Sequence, residues 1–123
     1  MVEISVLIVE DSFYSADLDV RELKKAGFTV RQKRVSSGQA MRDAMEEGGW
    51  DLIISDNSMP NFNALKALEI RNHYGRYIPF VIVSEDISRE DIDRALENGC
   101  SAFVAKENLT ELRKVAAGLL RGD

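Results

Sequence analysis

The sequence predicts an α/β fold, a doubly wound five-stranded parallel sheet with helices on both faces. Three observations predict it. Short apolar, β-branched runs recur (ISVLIV, LIIS, IPFVIV), and each reads as a strand buried on both faces. Between them lie segments with apolar residues at helical spacing. Strand and helix alternate five times, the pattern of a parallel sheet covered on both sides.

Taken in order, Ile4 to Val9 reads as the first buried strand and ends on Glu10-Asp11. Ser15 to Ala26 places Ala16, Val20 and Leu23 on one face of a helix that Gly27 stops. Phe28 to Val35 alternates loosely and carries Arg31, Lys33 and Arg34, as an edge strand guarded by charge would. Ser36, with Gln39 three residues on, is a capping-box signal for a helix running to Glu47 before Gly48-Gly49. Trp50 reads as a packing residue ahead of the buried strand Leu52 to Ser55, and Pro60 forces a turn after it.

Asn63 to Tyr74 has Ala64, Leu65, Ala67 and Leu68 at helical spacing, with His73, the sole histidine, solvated near its end. Ile78 to Val83 is the next buried strand and ends on Ser84. Ser88 with Asp91 opens a fourth helix carrying Ile92, Ala95 and Leu96, which Asn98-Gly99 ends. The acidic stretch Glu85, Asp86, Glu90, Asp91 and Asp93 suits the positive end of that helix. Ser101 to Ala105 is a short strand ending on Lys106. Asn108 with Glu111 signals a last helix with Leu109, Leu112, Ala116 and Leu119 inward. No linker or repeat interrupts the pattern, so residues 1–123 read as a single domain. The expected strand order is 2-1-3-4-5, the flavodoxin-like arrangement, with its ligand crevice between strands 1 and 3.

Composition narrows the function. The 123 residues suffice for one core, and 45% hydrophobic with 30% charged residues is the balance of a folded domain. A net charge of -5 with no basic face argues against direct nucleic-acid binding. No apolar run approaches the ~18 residues of a membrane span, and no signal-peptide pattern opens the chain, so the expected location is the cytoplasm. Cys100, the single cysteine, excludes an internal disulfide and a cysteine-based metal site, and reads as a small buried hydrophobe.

In a parallel sheet the strand C-terminal ends share one rim. Here strand 1 delivers Glu10 and Asp11, strand 3 Asp56, strand 4 Ser84 and strand 5 Lys106. Carboxylates that close raise one another's pKa unless a cation sits among them, and a hard divalent ion such as Mg²⁺ is the natural partner. Carboxylates, Mg²⁺, an ammonium and a hydroxyl together suit phosphoryl transfer, in which an aspartate can serve as nucleophile.

The motifs IVED, ISDNSMP, VSED and FVAKENL, spread over the whole chain, resemble those of response-regulator receiver domains of two-component signalling. The KENL ending resembles receivers attached to hybrid sensor kinases and to PAS or GGDEF proteins. The resemblance implies that Asp56 accepts the phosphoryl group from a sensor histidine kinase or phosphotransfer protein. It implies Mg²⁺ bound by Asp11, Asp56 and the Ser58 carbonyl, with Glu10 acting through water. It further implies that Ser84 bonds the phosphoryl group, that Lys106 pairs with it, and that Ser84 and Phe103 switch a face of helix 4, strand 5 and helix 5 that can form a homodimer. Such a domain catalyses its own phosphorylation and slow dephosphorylation, with no separate metabolic substrate. Two positions depart from the family: Glu107 stands where proline is usual, and Glu85 where a small residue is usual. Glu85 keeps open the alternative of a non-phosphorylated pseudo-receiver that serves as an interaction module. A hydrolase with an aspartate nucleophile would carry Asp-x-Asp after the first strand, which Glu10-Asp11-Ser12-Phe13 lacks. A flavin-binding module would need a hydroxyl- and glycine-rich phosphate cradle there, and it too is missing.

Overall fold

The structure, a computed structural model, describes residues 2–121. Among these residues the order is β1 (Val2–Val9), α1 (Phe13–Lys25), β2 (Phe28–Val35), α2 (Gly38–Glu47), β3 (Leu52–Ser55), α3 (Ala64–Tyr74), β4 (Phe80–Ser84), α4 (Arg89–Glu97), β5 (Ala102–Ala105) and α5 (Glu111–Arg121). A 3₁₀ turn, Lys106–Asn108, precedes α5. The five strands are all parallel, in the order β2-β1-β3-β4-β5.

Side-chain alternation along the central strands builds two cores. Leu7 and Val9 of β1 join Ile53, Phe80 and Ile82 on one face of the sheet, under Met41, Leu68 and Ala95 of α2, α3 and α4. Val6 and Ile8 join Leu52, Ile54, Val81 and Val83 on the other, under Val20, Leu23, Leu112 and Ala116 of α1 and α5. Period-two burial on both faces is why these runs are apolar throughout rather than alternating. Burial of each fully enclosed Leu, Ile or Val stabilises the fold by about 1.5–3 kcal/mol. Gly27 has φ +101°, a conformation that a side chain disfavours, and it turns the chain from α1 directly into β2.

The end of the molecule opposite the strand C-termini is held by Arg71. It is 1% exposed, with Nη1 donating to the Arg76 carbonyl at 2.6 Å and Nη2 to the Gly99 carbonyl, and its guanidinium sits 5.8 Å from the Phe80 ring centroid. It thereby ties the C-terminal end of α3 to the turn after α4. Trp50 lies at this end too, donating to the Ala44 carbonyl at 2.7 Å, so its packing role stands. Cys100 is buried as expected.

Several boundaries differ from expectation, each for a local reason. Helix α1 begins at Phe13, because the Ser12 side chain caps it by accepting the Ser15 N–H at 3.1 Å. The cap of α2 is Ser37 rather than Ser36, accepting the Ala40 N–H at 3.1 Å, while Gln39 bonds Asp43 instead of closing a capping box. Strand β4 begins at Phe80, after Pro79, which has no N–H to give a ladder. Asn108 ends the 3₁₀ turn and does not cap α5. Leu119, expected inward, is 38% exposed, and Leu96 is 45% exposed. They lie on α4 and α5, which flank the edge strand β5, and among the described residues no element beyond that strand covers them. No helix among the described residues is long and apolar enough to cross a membrane.

Candidate functional site

The ladder itself places the acids. The Glu10 N–H donates to the Val35 carbonyl and the Asp56 N–H to the Val9 carbonyl, each at 2.9 Å, so pairing continues one residue past β1 and β3. The two backbones are thus fixed where the sheet ends, and their side chains meet at the rim. Carboxylate oxygens of Glu10, Asp11 and Asp56 lie within 4.8 Å of one another. Glu10 and Asp56 are 2% and 6% exposed, whereas Asp11 is open to solvent. Lys106, the first residue after β5, brings its Nζ to 3.4 Å from Glu10 Oε1 and 3.7 Å from Asp56 Oδ1.

The electrostatics follow from this crowding. Burial pushes the Glu10 carboxyl above its ordinary value; the Ser12 N–H, at 3.2 Å from Oε2, opposes this, the Asp56 charge adds to it, and Lys106 opposes it. For Lys106 burial is the largest single influence and acts downward, but the charges of Asp56 and Glu10 outweigh it and hold the ammonium above its usual range. One carboxylate atom, Asp56 Oδ1, is buried without a hydrogen-bond partner. A buried acceptor left unpaired is costly, and a bound cation would supply the missing partner. Three hard oxygen donors suit a small divalent ion, so the residues present fit a metal, with Glu10, Asp11 and Asp56 able to hold it.

The other expected members are placed as follows. Ser84 ends β4 and is 1% exposed; its Oγ accepts the Asp86 N–H at 3.1 Å and makes no bond to the acidic cluster. Ser58 lies exposed two residues beyond Asp56. Phe103, in β5, is half-buried and packs against the core under α3 and α4. His73 is exposed and edge-stacked on Tyr74 with centroids 5.0 Å apart, away from the cluster. The groove of about 570 Å³ between α2 and α3, lined by Arg42, Phe62, Ile70, His73 and Tyr74 among others, includes no member of the cluster.

Three residues near the site were not singled out from sequence. Arg34, read as an edge guard, donates through Nη1 to the Glu10 carbonyl at 3.1 Å and the Asp11 carbonyl at 3.4 Å, bracing the loop that carries both acids. Asn57 bridges two loops through its side chain. Asp19 is 5% exposed on the inward stripe of α1. Its position, three after Ala16 and four before Leu23, was a legible signal: an acid on an apolar stripe.

The strand order and this rim define a class, doubly wound α/β domains whose strand tips gather a carboxylate cluster able to hold a cation. The family model of the response regulator receiver domain matches residues 6–117, and the chain belongs to that family, the receivers of two-component signalling. Among curated proteins, the transcription factor SKN7 of Saccharomyces cerevisiae is 31% identical over 101 residues, which cover 82% of this chain and 16% of that protein. The sensory/regulatory protein RpfC of Xanthomonas campestris is 34% identical over 105 residues, covering 82% of this chain and 14% of that protein. The chain therefore spans less than a fifth of the length of these two relatives. Among solved structures, a DNA-binding response regulator of the LuxR family from Staphylococcus aureus superposes with a TM-score of 0.76 at 27% identity, covering 94% of this chain and 98% of that one. The receiver domain of a signal transduction histidine kinase from Syntrophus aciditrophicus gives 0.79 at 27% identity, over 97% and 91%.

Proposed function

We propose that this chain accepts a phosphoryl group on Asp56 from the phosphohistidine of a sensor histidine kinase or phosphotransfer protein. The observation that carries the reading is the state of Asp56: a buried carboxylate oxygen with no hydrogen-bond partner, 3.7 Å from an ammonium, among three clustered acids. In the step, an Asp56 oxygen attacks phosphorus, the P–N bond to the donor imidazole breaks, and the imidazole nitrogen keeps the electron pair and takes a proton. Water later cleaves the acyl phosphate and restores the carboxylate. Mg²⁺ bound at Asp11, Asp56 and the Ser58 carbonyl, with Glu10 acting through water, would offset the charge that gathers on the phosphoryl oxygens.

The residues of the chain do the rest. Lys106, held between Glu10 and Asp56, is poised to follow the new negative charge onto the phosphoryl group. Ser84 offers its hydroxyl to a phosphoryl oxygen. Movement of Ser84 and Phe103 then reshapes the face formed by α4, β5 and α5, on which Leu96 and Leu119 are already exposed, and that face docks a partner or a second copy. Incubation with acetyl phosphate and Mg²⁺ followed by intact-mass measurement tests the proposal. A gain of one phosphoryl group supports it, and an unchanged mass favours the pseudo-receiver reading.

Two further outcomes are expected. Asp11→Ala weakens Mg²⁺ binding by more than about 100-fold, whereas Glu10→Ala, lost from a water-mediated position, weakens it by roughly tenfold. Calorimetric titration checks this, since Trp50 lies at the opposite end of β3 and is a poor reporter. Equal, undiminished affinities would remove the metal from this cluster.

Glu85 is exposed and directly follows Ser84, so its charge repels an incoming phosphoryl anion. Glu85→Ala is expected to label roughly fivefold faster than wild type at low salt, with the gain shrinking as salt screens the charge. Equal rates at low salt would show that Glu85 does not gate the site.

A further inference from the structure

Asn57 follows Asp56 and turns its side chain away from the acidic cluster. Its Oδ1 accepts the N–H of Ala64, the first residue of α3, at 3.1 Å. Its Nδ2 donates to the Asp86 carbonyl, in the loop between β4 and α4, at 2.9 Å. Ala64 offers only a donor and Asp86 here only an acceptor, so the orientation of the amide is determined by its partners. The same residue gives its N–H, on the peptide group before that carbonyl, to Ser84 Oγ at 3.1 Å. Three hydrogen bonds therefore run from the start of α3, through the residue beside Asp56, to the hydroxyl of Ser84.

That chain has a consequence for Ser84. A hydroxyl carries one proton and two acceptor lone pairs. With a lone pair engaged by the Asp86 N–H, its proton remains available for donation. The group is buried at the tip of β4, the strand next to the one that carries Asp56. We infer that Asn57 is a positioning residue: by anchoring Asp86 through its carbonyl, it fixes the residue whose N–H engages Ser84 and so holds the Ser84 hydroxyl as a donor for the phosphoryl oxygens on Asp56. This rests on the proposed function, in which Asp56 is the acceptor and Ser84 its partner. Preorganising a donor in this way speeds the transfer without tightening ground-state binding of the donor molecule.

Two substitutions separate the bonds. Asn57→Asp keeps an acceptor for the Ala64 N–H but loses the donor to Asp86; Asn57→Ala loses both. In each, hydrogen exchange of the Asp86 amide in the unphosphorylated protein is expected to quicken roughly fivefold or more, read by NMR. Labelling at saturating acetyl phosphate is expected to slow roughly three- to tenfold with little change in KM. In a Ser84→Ala background, neither substitution should slow labelling further, because the group it positions is gone. Unchanged Asp86 exchange would overturn the bridge. A slowing of equal size with and without Ser84 would overturn the positioning role and leave only a charge or packing effect. Faster exchange in a protein whose wild type takes up no phosphoryl group would overturn the proposed function, and the positioning role with it, while the bridge stood.

Discussion

Asp56→Asn is expected to abolish phosphoryl uptake from acetyl phosphate, from one group per chain in the wild type to none detectable. The substitution is nearly isosteric and leaves the backbone bond from residue 56 to the Val9 carbonyl available, so β3 keeps its place beside β1. It removes one of three crowded negative charges and one of the two carboxylates that face Lys106. The Asp56 charge is among the influences that raise the Glu10 pKa, so the variant should also relax that carboxyl toward its ordinary value. Folding is thus spared, and the loss is chemical: a carboxamide has no anionic oxygen with which to attack phosphorus. Intact mass, together with release of the label from the wild type by neutral hydroxylamine, checks the outcome. Full labelling of Asp56→Asn would place the nucleophile elsewhere.

Asp19→Asn is expected to stabilise the protein at pH 8 far more than at pH 5. Asp19 is 5% exposed on the buried stripe of α1, and its pKa is pushed up to about 7 from 3.8. Burial is the main cause; the charge of Glu10 adds to it, Lys106 opposes it, and Asp56 adds again. The sign follows from proton linkage. The unfolded chain releases this proton near pH 3.8, whereas the folded chain holds it until about pH 7. The folded state binds more protons between those values, so its stability is fully present below the lower one and is lost as pH rises through the upper. Each pH unit within that window costs about 1.4 kcal/mol. An asparagine carries no such cost. The stability gap between variant and wild type should therefore widen by on the order of 2–3 kcal/mol between pH 5 and pH 8. Urea unfolding at the two pH values, with a chelator present to exclude divalent ions, measures it. A gap that does not change with pH would show that Asp19 is not held neutral by the fold.

The residues that make the site and those that support it were not equally legible in the sequence. Strand β2 was read with its observed bounds from its loose alternation and edge charges, and β3 from an apolar run ended by polar residues, which marks a buried strand by composition alone. Strand alternation with helices then implied a parallel sheet, and a parallel sheet implies one rim. Glu10, Asp56 and Lys106 directly follow a strand, Ser84 ends one and Asp11 comes right after Glu10, so topology brought them to that rim without any knowledge of distances.

Helix starts were less legible, because the choice between Ser36 and Ser37 as a cap depends on which hydroxyl meets a free N–H, a matter of one backbone rotation.

By itself the sequence determined the fold class, the strand order and the acids at the strand tips, since all three follow from local patterns and chain connectivity. Only the tertiary structure decided the surroundings of those acids. That Arg34 braces the Glu10–Asp11 loop from a neighbouring strand, that Asn57 joins α3 to the loop after Ser84, and that Asp19 is desolvated on the inward face of α1 all depend on distant segments meeting. A hydrogen bond depends on a few tenths of an ångström and on direction, and desolvation depends on what packs overhead. Periodicity reports the face on which a side chain lies, and only packing of the whole chain decides what it meets there.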